Sequence, residues 1–317
     1  MDMQAFLDPF VRLLEAECSP ETVRMIEAGG SSDALWQAIA ASGYLDALVP
    51  EEAGGAGLDL STLGPILMAL GAYAVPLPVA DTMVARALLA QAGKDAPQDP
   101  IVLVAEDSRW PVLSGQLASW ALAQQDDRLV LCRITQAEPT GVFGDLSARI
   151  TLAPGDVVGM APAGGLIKFG AVMRAAAIAG AADTLLARTT AYANERVQFG
   201  KPIGKQQAIQ QQLALMAQYA VAARLAAQTG CAAGLDITLQ AAASAKYMAN
   251  LAASEIAAIA HAVHGAMGIS AEFDLQLLTK SLHAWRLADG AETYWAERLG
   301  RLRLEADLNS LDFIRAI

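Results

Sequence analysis

Apolar residues at helical spacing run through both ends of the chain. Near the start, Leu7, Val11 and Leu14 recur every three or four residues, which predicts an amphipathic helix. The whole stretch from 1 to about 95 follows this pattern. From about residue 166 onward the same spacing returns and predicts long helices over four segments, namely 170–196, 205–230, 236–265 and 275–307.

The second N-terminal helix carries signals at both of its ends. Its apolar residues run from Leu63 to Leu70, and Asp59 or Ser61 can cap its N-terminus. Pro76 follows its C-terminus and cannot continue a helix. This region is therefore predicted to be helical and well delimited.

Short β-branched runs replace the helical pattern in the middle of the chain. Four runs bounded by turn-forming residues are predicted strands, namely 101–104, 110–113, 128–134 and 148–152. The pattern predicts a mainly α chain with a small β-domain: a helical N-terminal domain (1–95), a β-domain (96–165) and a C-terminal helical bundle (166–317). Such an order favours a cofactor cleft at a domain junction.

Charge and composition exclude several classes of function. The chain holds 22 basic and 33 acidic residues, for a formal net charge of −11. An acidic surface repels phosphate backbones and anionic lipids, so nucleic-acid and membrane binding are disfavoured. The apolar stretches are interrupted by charges such as Arg174 and Lys246, and the first ten residues include no basic residue. We therefore expect a cytoplasmic protein.

Cysteines and histidines offer no metal or redox motif. The cysteines form no CxxC pair and are predicted to be reduced and buried: Cys18, Cys132 and Cys231. The histidines lack the spacing of a metal site with a matching carboxylate: His261, His264 and His283. No metal ligand is therefore predicted.

The segment AYANERVQFGKPIGKQQAIQQQLALMA (191–217) gathers polar residues around a turn between two helices. Arg196 and Gln198 precede a turn at Gly200–Pro202, and a new helix begins after it. A helix N-terminus and an arginine fork together can bind a diphosphate. The same residues also fit a solvated turn with no ligand, and the pattern alone leaves both readings open.

RVQFGKPI, with the Gln-rich helix start and LALM after it, resembles the long C-terminal motif of the acyl-CoA dehydrogenase family. The resemblance implies that Arg196, Gln198, Phe199 and Gln207 help to hold the ADP half of an FAD that belongs to the neighbouring subunit. Three other segments are similar to the family pattern, namely 49–57 (VPEEAGGAG), 175–200 and 261–292. The resemblance covers most of the chain outside the β-domain, and it implies a C-terminal four-helix bundle.

Within 261–292, the resemblance implies two further site residues. Gly265 matches the first glycine of a pair that approaches the ADP half of FAD. Asp289, before Gly290, stands where the family has its catalytic Glu, which removes the α-proton of an acyl thioester while a hydride passes from Cβ to flavin. Asp is one methylene shorter, which sets its carboxylate back by roughly 1–1.5 Å, and such a misplacement can cost about 100-fold in rate. Alternatively, Asp289 is only a surface residue or a helix cap.

Several departures from the family pattern imply an incomplete flavin site. The second glycine of the pair is Ala266, and a family Gln and a family Thr are replaced by Ala262 and Ala291. The β-domain has no segments similar to those that contact the flavin ring and the thioester in the family. Its reduced size is the largest departure.

The resemblance implies a subunit of an FAD-dependent acyl-CoA dehydrogenase in lipid metabolism. We expect a heterotetramer with a longer acyl-CoA dehydrogenase chain, a bulky acyl-CoA substrate as in steroid degradation, and an electron-transfer flavoprotein as acceptor. The alternative is a non-catalytic partner that stabilises a catalytic chain and contributes only to binding the ADP of FAD. A homo-oligomer that binds acyl-CoA without flavin remains a third possibility.

Overall fold

The N-terminal part of the chain is helical, as predicted. A computed structural model describes residues 3–105 and 110–315. Its first five helices are α1 (Met3–Glu17), α2 (Pro20–Glu27), α3 (Asp33–Ala41), α4 (Leu60–Ala72) and α5 (Val79–Gln91). The α4 helix has the predicted cap, since the Asp59 carboxylate accepts a hydrogen bond from the Thr62 amide at 2.7 Å. Ser61 instead donates its hydroxyl to Asp59.

A small sheet follows, built from β1 (Ile101–Val104), β2 (Trp120–Gln125), β3 (Arg128–Pro139), β4 (Ala148–Leu152) and β5 (Asp156–Met160). The β1 strand runs parallel to β2, and β2 runs antiparallel to β3. The β5 strand pairs with the first half of β3 and β4 with its second half, both antiparallel. This sheet confirms the prediction of a mainly α chain with a small β-domain.

The predicted strand at 110–113 is wrong, and two strands were missed. Val112 makes only an isolated bridge to Ala148, and the Trp110 side chain is 79% exposed. The missed strands are β2 and β5. The sequence of β2, WALAQQ, is poor in β-branched residues, so its extended form comes from pairing with β1 and β3 rather than from its own propensity.

The C-terminal part is a bundle with α6 at its centre. It consists of α6 (Ile167–Glu195), the hairpin of β6 (Val197–Gln198) and β7 (Lys201–Pro202), α7 (Gln207–Cys231), α8 (Leu239–His264), α9 (Leu275–Leu287), α10 (Glu292–Glu305) and α11 (Ser310–Arg315). The α6, α7 and α8 helices pack on one another, and α9 packs on α6 and α8. Among the described residues α6 alone is long and apolar enough to span a membrane, but most of it is buried inside the protein.

The prediction of one helix over 275–307 is wrong. The chain breaks between α9 and α10, where Asp289 has a φ of +54° and Gly290 a φ of +97°. Left-handed residues cannot continue a right-handed helix, so α10 starts in a new direction. The predicted domain limits at residues 95 and 165 lie in loops and stay predictions. All three cysteines are free and buried, as predicted.

The N-terminal helices join the bundle through a close crossing of α4 and α6. An ideal Cβ on Gly180 would lie 1.8 Å from the carbonyl oxygen of Met68. One on Gly71 would lie 1.9 Å from the carbonyl oxygen of Ala177. Each helix thus places a glycine against the backbone of the other, and the crossing admits no larger side chain.

We expect Gly180→Ala to destabilise the chain. The added methyl cannot fit without separating α4 from α6, and overpacking of a tight core typically costs about 1–3 kcal/mol or more. The matched control is Gly300→Ala on α10, where an added Cβ meets nothing within 4 Å; this change should stabilise by up to about 1 kcal/mol through helix propensity. Urea unfolding of both variants measures the difference, and equal stabilities would contradict the crossing.

Candidate functional site

Asp289 lies in the turn between α9 and α10 with its carboxylate against the N-terminal turns of α6. An ideal Cβ on Gly170 of α6 would come within 2.4 Å of the Asp289 carboxyl carbon, so only glycine leaves room for this contact. Asp289 Oδ2 accepts a hydrogen bond from Arg174 Nε at 3.2 Å. The Asp289 side chain is 23% exposed, which places it at the edge of the core.

The Arg174 guanidinium is held by a second carboxylate from α5. Its Nη2 donates to both oxygens of Asp81, at 2.8 and 2.7 Å, and both side chains are buried. Burial disfavours the charge on Arg174, but the carboxylates of Asp81 and Asp289 outweigh it and raise the pKa of the guanidinium. One cation therefore ties α5, α6 and the α9–α10 turn together.

A second buried cation, Lys246 of α8, holds the main chain of the same turn. Its ammonium nitrogen lies within hydrogen-bond distance of the carbonyl oxygens of Trp285 (2.7 Å), Arg286 (3.0 Å) and Gly290 (3.2 Å) and of the Asn250 amide oxygen (2.7 Å), and these four acceptors share its three N–H donors. The last carbonyls of a helix lack partners within it, so Lys246 acts as a cap for α9. Burial lowers the pKa of Lys246 to about 7.

The two carboxylate oxygens of Asp289 differ in their contacts. Oδ2 is bound to Arg174, whereas Oδ1 accepts no hydrogen bond from the described residues and is free to take one. A cavity of about 30 Å³ borders Arg174, Leu70 and Trp285, but Asp289 does not line it. That cavity has room for little more than a water molecule.

The residues predicted to hold ADP lie at the far end of α6. Arg196, Gln198 and Phe199 are exposed in and around the β6–β7 hairpin, and Phe199 is 93% exposed with a φ of +52°. Gln207 is the exposed first residue of α7. Among the described residues the Arg196 side chain has no hydrogen-bond or ion-pair partner. The α7 N-terminus has no side-chain cap and no acidic residue in its first turn.

Gly265 is brought to the same end of the bundle. It ends α8 with a φ of +58°, beside His264. The His264 ring stacks on Tyr192 at 4.3 Å between centroids, and the Tyr192 hydroxyl donates to the His264 carbonyl oxygen at 3.4 Å. Tyr192 lies one turn before Arg196, so this contact joins the ends of α6 and α8.

The two groups of predicted residues are thus well separated. Arg174, which binds Asp289, and Arg196 are about 33 Å apart along α6 at a rise of 1.5 Å per residue. Asp289 and the candidate ADP residues do not share one pocket in this chain. Each group faces its own region of the surface.

Comparison with known proteins establishes the family. A profile of the acyl-CoA dehydrogenase N-terminal domain matches residues 2–101, and one of the C-terminal domain matches residues 158–302. The acyl-CoA dehydrogenase IpdE2 of Mycolicibacterium smegmatis is 30% identical over 305 residues, which are 93% of this chain and 95% of that protein. The chain belongs to the acyl-CoA dehydrogenase family. The resemblance seen in the sequence is confirmed.

Other acyl-CoA dehydrogenases agree with this assignment. IpdE2 of Mycobacterium tuberculosis is 30% identical over 294 residues, 89% of this chain and 91% of that protein. The ChsE4-ChsE5 complex of Mycobacterium tuberculosis is similar in structure, with a TM-score of 0.83 at 21% identity over 97% of this chain and 99% of that chain. A variant of the Tcur3481-Tcur3483 steroid acyl-CoA dehydrogenase also scores 0.83, at 23% identity over 96% and 98%. These structures show the acyl-CoA dehydrogenase fold.

Sequence reasoning missed three charged residues that surround Asp289 and its turn, namely Asp81, Arg174 and Lys246. A signal was present, since Arg174 and Lys246 are isolated charges in alanine-rich helical segments. A charge at such a position is buried and needs a partner, but the partners are distant in sequence. The roles proposed for Asp289, Arg196, Gln198, Phe199, Gln207 and Gly265 stay predictions.

We expect Lys246→Met to weaken the fold through the α9–α10 turn. The methionine fills a similar volume but leaves the carbonyls of Trp285 and Arg286 without a donor, and each unpaired buried group costs about 1–3 kcal/mol. Unfolding by urea should show a loss of roughly 3 kcal/mol. The control Lys94→Met, at an exposed loop position, should leave stability unchanged, and a Lys246→Met variant as stable as this control would refute the capping role.

Proposed function

We propose that this chain is one subunit of a heteromeric, FAD-dependent acyl-CoA dehydrogenase, and that it supplies the edge of the site that holds the ADP half of FAD. The observation that carries this proposal is the unpaired, exposed Arg196 in the hairpin that leads into the uncapped N-terminus of α7. A guanidinium and free helix N–H groups are the donors that a diphosphate requires. Phe199 in the same hairpin offers an exposed aromatic face for adenine.

The described residues fit this half of the cofactor. Arg196 would pair with the diphosphate, Phe199 and Gln198 would border the adenosine, and Gln207 would stand at the start of α7. An ideal Cβ on Gly265 would meet no atom within 4 Å, so the surface at this position is open. When bound, FAD supplies the hydride acceptor for oxidation of the Cα–Cβ bond of an acyl-CoA.

The rest of the site would come from a longer acyl-CoA dehydrogenase chain. Support for a partner comes from a similar structure that is a complex of two different chains, ChsE4 and ChsE5. The separation of Asp289 from Arg196 along α6 also suits a subunit whose ADP edge serves a neighbour's flavin. We propose a cytoplasmic heterotetramer that passes electrons to an electron-transfer flavoprotein.

Two similar structures suggest a substrate class for this proposal. One similar structure is described as a steroid acyl-CoA dehydrogenase, and another is a complex of two different chains, ChsE4 and ChsE5. By analogy we propose a bulky acyl-CoA of the steroid side-chain type for this chain and its partner.

Asp289 has two candidate roles, and its contacts favour the non-catalytic one. A general base must be free to take a proton from substrate, whereas Asp289 Oδ2 is bound to Arg174. One observation supports the catalytic role: Asp289 Oδ1 accepts no hydrogen bond from the described residues. We propose that Asp289 mainly anchors the turn.

Arg196→Gln should weaken FAD binding in the assembled complex. A charge-assisted hydrogen bond is worth about 1.5–3 kcal/mol, so we expect roughly 10- to 100-fold weaker binding. The chain would be co-expressed with its longer partner, and FAD affinity measured by flavin fluorescence after dilution. Arg298→Gln is the matched control, because Arg298 donates to Tyr294 on α10.

Two results would count against the shared site. One is FAD affinity unchanged by Arg196→Gln. The other is a full complement of FAD in this chain purified without any partner.

Asp289→Asn separates the two roles of the carboxylate. Loss of a general base typically lowers turnover by about 10²–10⁴-fold. We expect the complex with Asp289→Asn to keep turnover within about tenfold, because the amide retains the shape of the side chain and its oxygen can still accept from Arg174. Turnover would be measured with an acyl-CoA and an artificial electron acceptor, and a drop beyond about 100-fold would assign the base to Asp289.

A further inference from the structure

The turn between α9 and α10 holds a backbone conformation that needs support. Asp289 has a φ of +54°, in the left-handed region that residues with a side chain rarely adopt. Such a residue persists when its surroundings fix it, and strain of this kind is found at functional positions. Here the surroundings fix both its side chain and its main chain.

The side chain is fixed by one planar guanidinium. Nη2 of Arg174 donates to both oxygens of Asp81. This contact orients the guanidinium so that Nε donates to Asp289. Both Arg174 and Asp81 are more than nine-tenths buried. A lysine at this position has a single nitrogen and cannot reproduce the arginine fork.

The main chain is fixed by donors from two other helices. Trp295 of α10 donates its indole N–H to the Asp289 carbonyl oxygen at 2.8 Å. Lys246 and Asn250 of α8 both donate to the Gly290 carbonyl oxygen, at 3.2 and 3.1 Å. The consecutive carbonyl oxygens of Asp289 and Gly290 therefore accept hydrogen bonds from side chains outside the turn.

We propose that Arg174 and Lys246 are positioning residues for Asp289: Arg174, oriented by Asp81, fixes its carboxylate, and Lys246 fixes the main chain of its turn. The turn is then rigid in the chain by itself, before a partner or flavin binds. The direction of Asp289 Oδ1 is then fixed as well. The link to a shared site rests on the function proposed above, but the fixation is a property of this chain.

Fluorine NMR of the 5-fluorotryptophan-labelled full-length chain tests this proposal directly. The chain has five tryptophans, and Trp295→Phe assigns the signal of the residue that bonds Asp289. Arg174→Lys keeps the buried charge but loses the fork, and Asp81→Asn with Arg174→Met removes both charges together. We expect both variants to shift or split the Trp295 signal, while the signal of Trp36 in α3 stays in place.

Lys246→Met should move the same signal through the main chain. The matched control is Arg224→Lys, which changes the half-exposed ion pair with Asp183 and should leave all five signals unchanged. A Trp295 signal identical to wild type in the Arg174 and Lys246 variants, with the Trp36 signal showing that they are folded, would overturn the proposal.

Measurements on the same variants distinguish a failure of this proposal from a failure of the function proposed above. FAD affinity of the co-expressed complex should fall in Arg196→Gln, whose Trp295 signal should not move. A Trp295 shift in the Arg174 variants together with unchanged FAD affinity in Arg196→Gln would refute the ADP edge and leave the positioning role standing.

Discussion

The Arg174 guanidinium carries its charge in the protein interior, where an unpaired charge would be strongly disfavoured. Its position is possible only because Asp81 and Asp289 both reach it. These two carboxylates come from opposite parts of the chain, so the N-terminal helices, the central helix and the α9–α10 turn must assemble together. The close crossing of α4 and α6 and the glycine at position 170 serve the same assembly, because each lets backbone or carboxylate approach α6 directly.

This constraint also bears on the function proposed for this member of the acyl-CoA dehydrogenase family. One oxygen of the Asp289 carboxylate is engaged inside the chain by Arg174. At the opposite end of α6, Arg196 and Phe199 are exposed, and the Arg196 side chain has no partner among the described residues. The N-terminus of α7 that follows has no side-chain cap. This difference between the two ends of α6 underlies the proposal that the chain contributes an edge of a shared site.

Sequence patterns were reliable where the information was local. The strands at 101–104 and 148–152 and the cap at Asp59 were predicted at the positions observed. Sequence patterns failed where neighbouring elements decide the conformation. The β2 strand is extended because it lies between β1 and β3, and its alanines and glutamines give no such signal. The break at Asp289 was hidden because helical apolar spacing continues on both sides of it, and only the surrounding donors hold the left-handed turn.

The sequence by itself determined the family, the helical and stranded regions and the residues of the hairpin after α6, because each depends on residues that are close along the chain. It could place Asp289 by alignment but could not show its surroundings. Only the tertiary structure decided those, because Arg174 is 93 residues from Asp81 and 115 from Asp289. Contacts over such separations form when helices pack, and no local pattern of residues encodes which buried charge will meet which carboxylate.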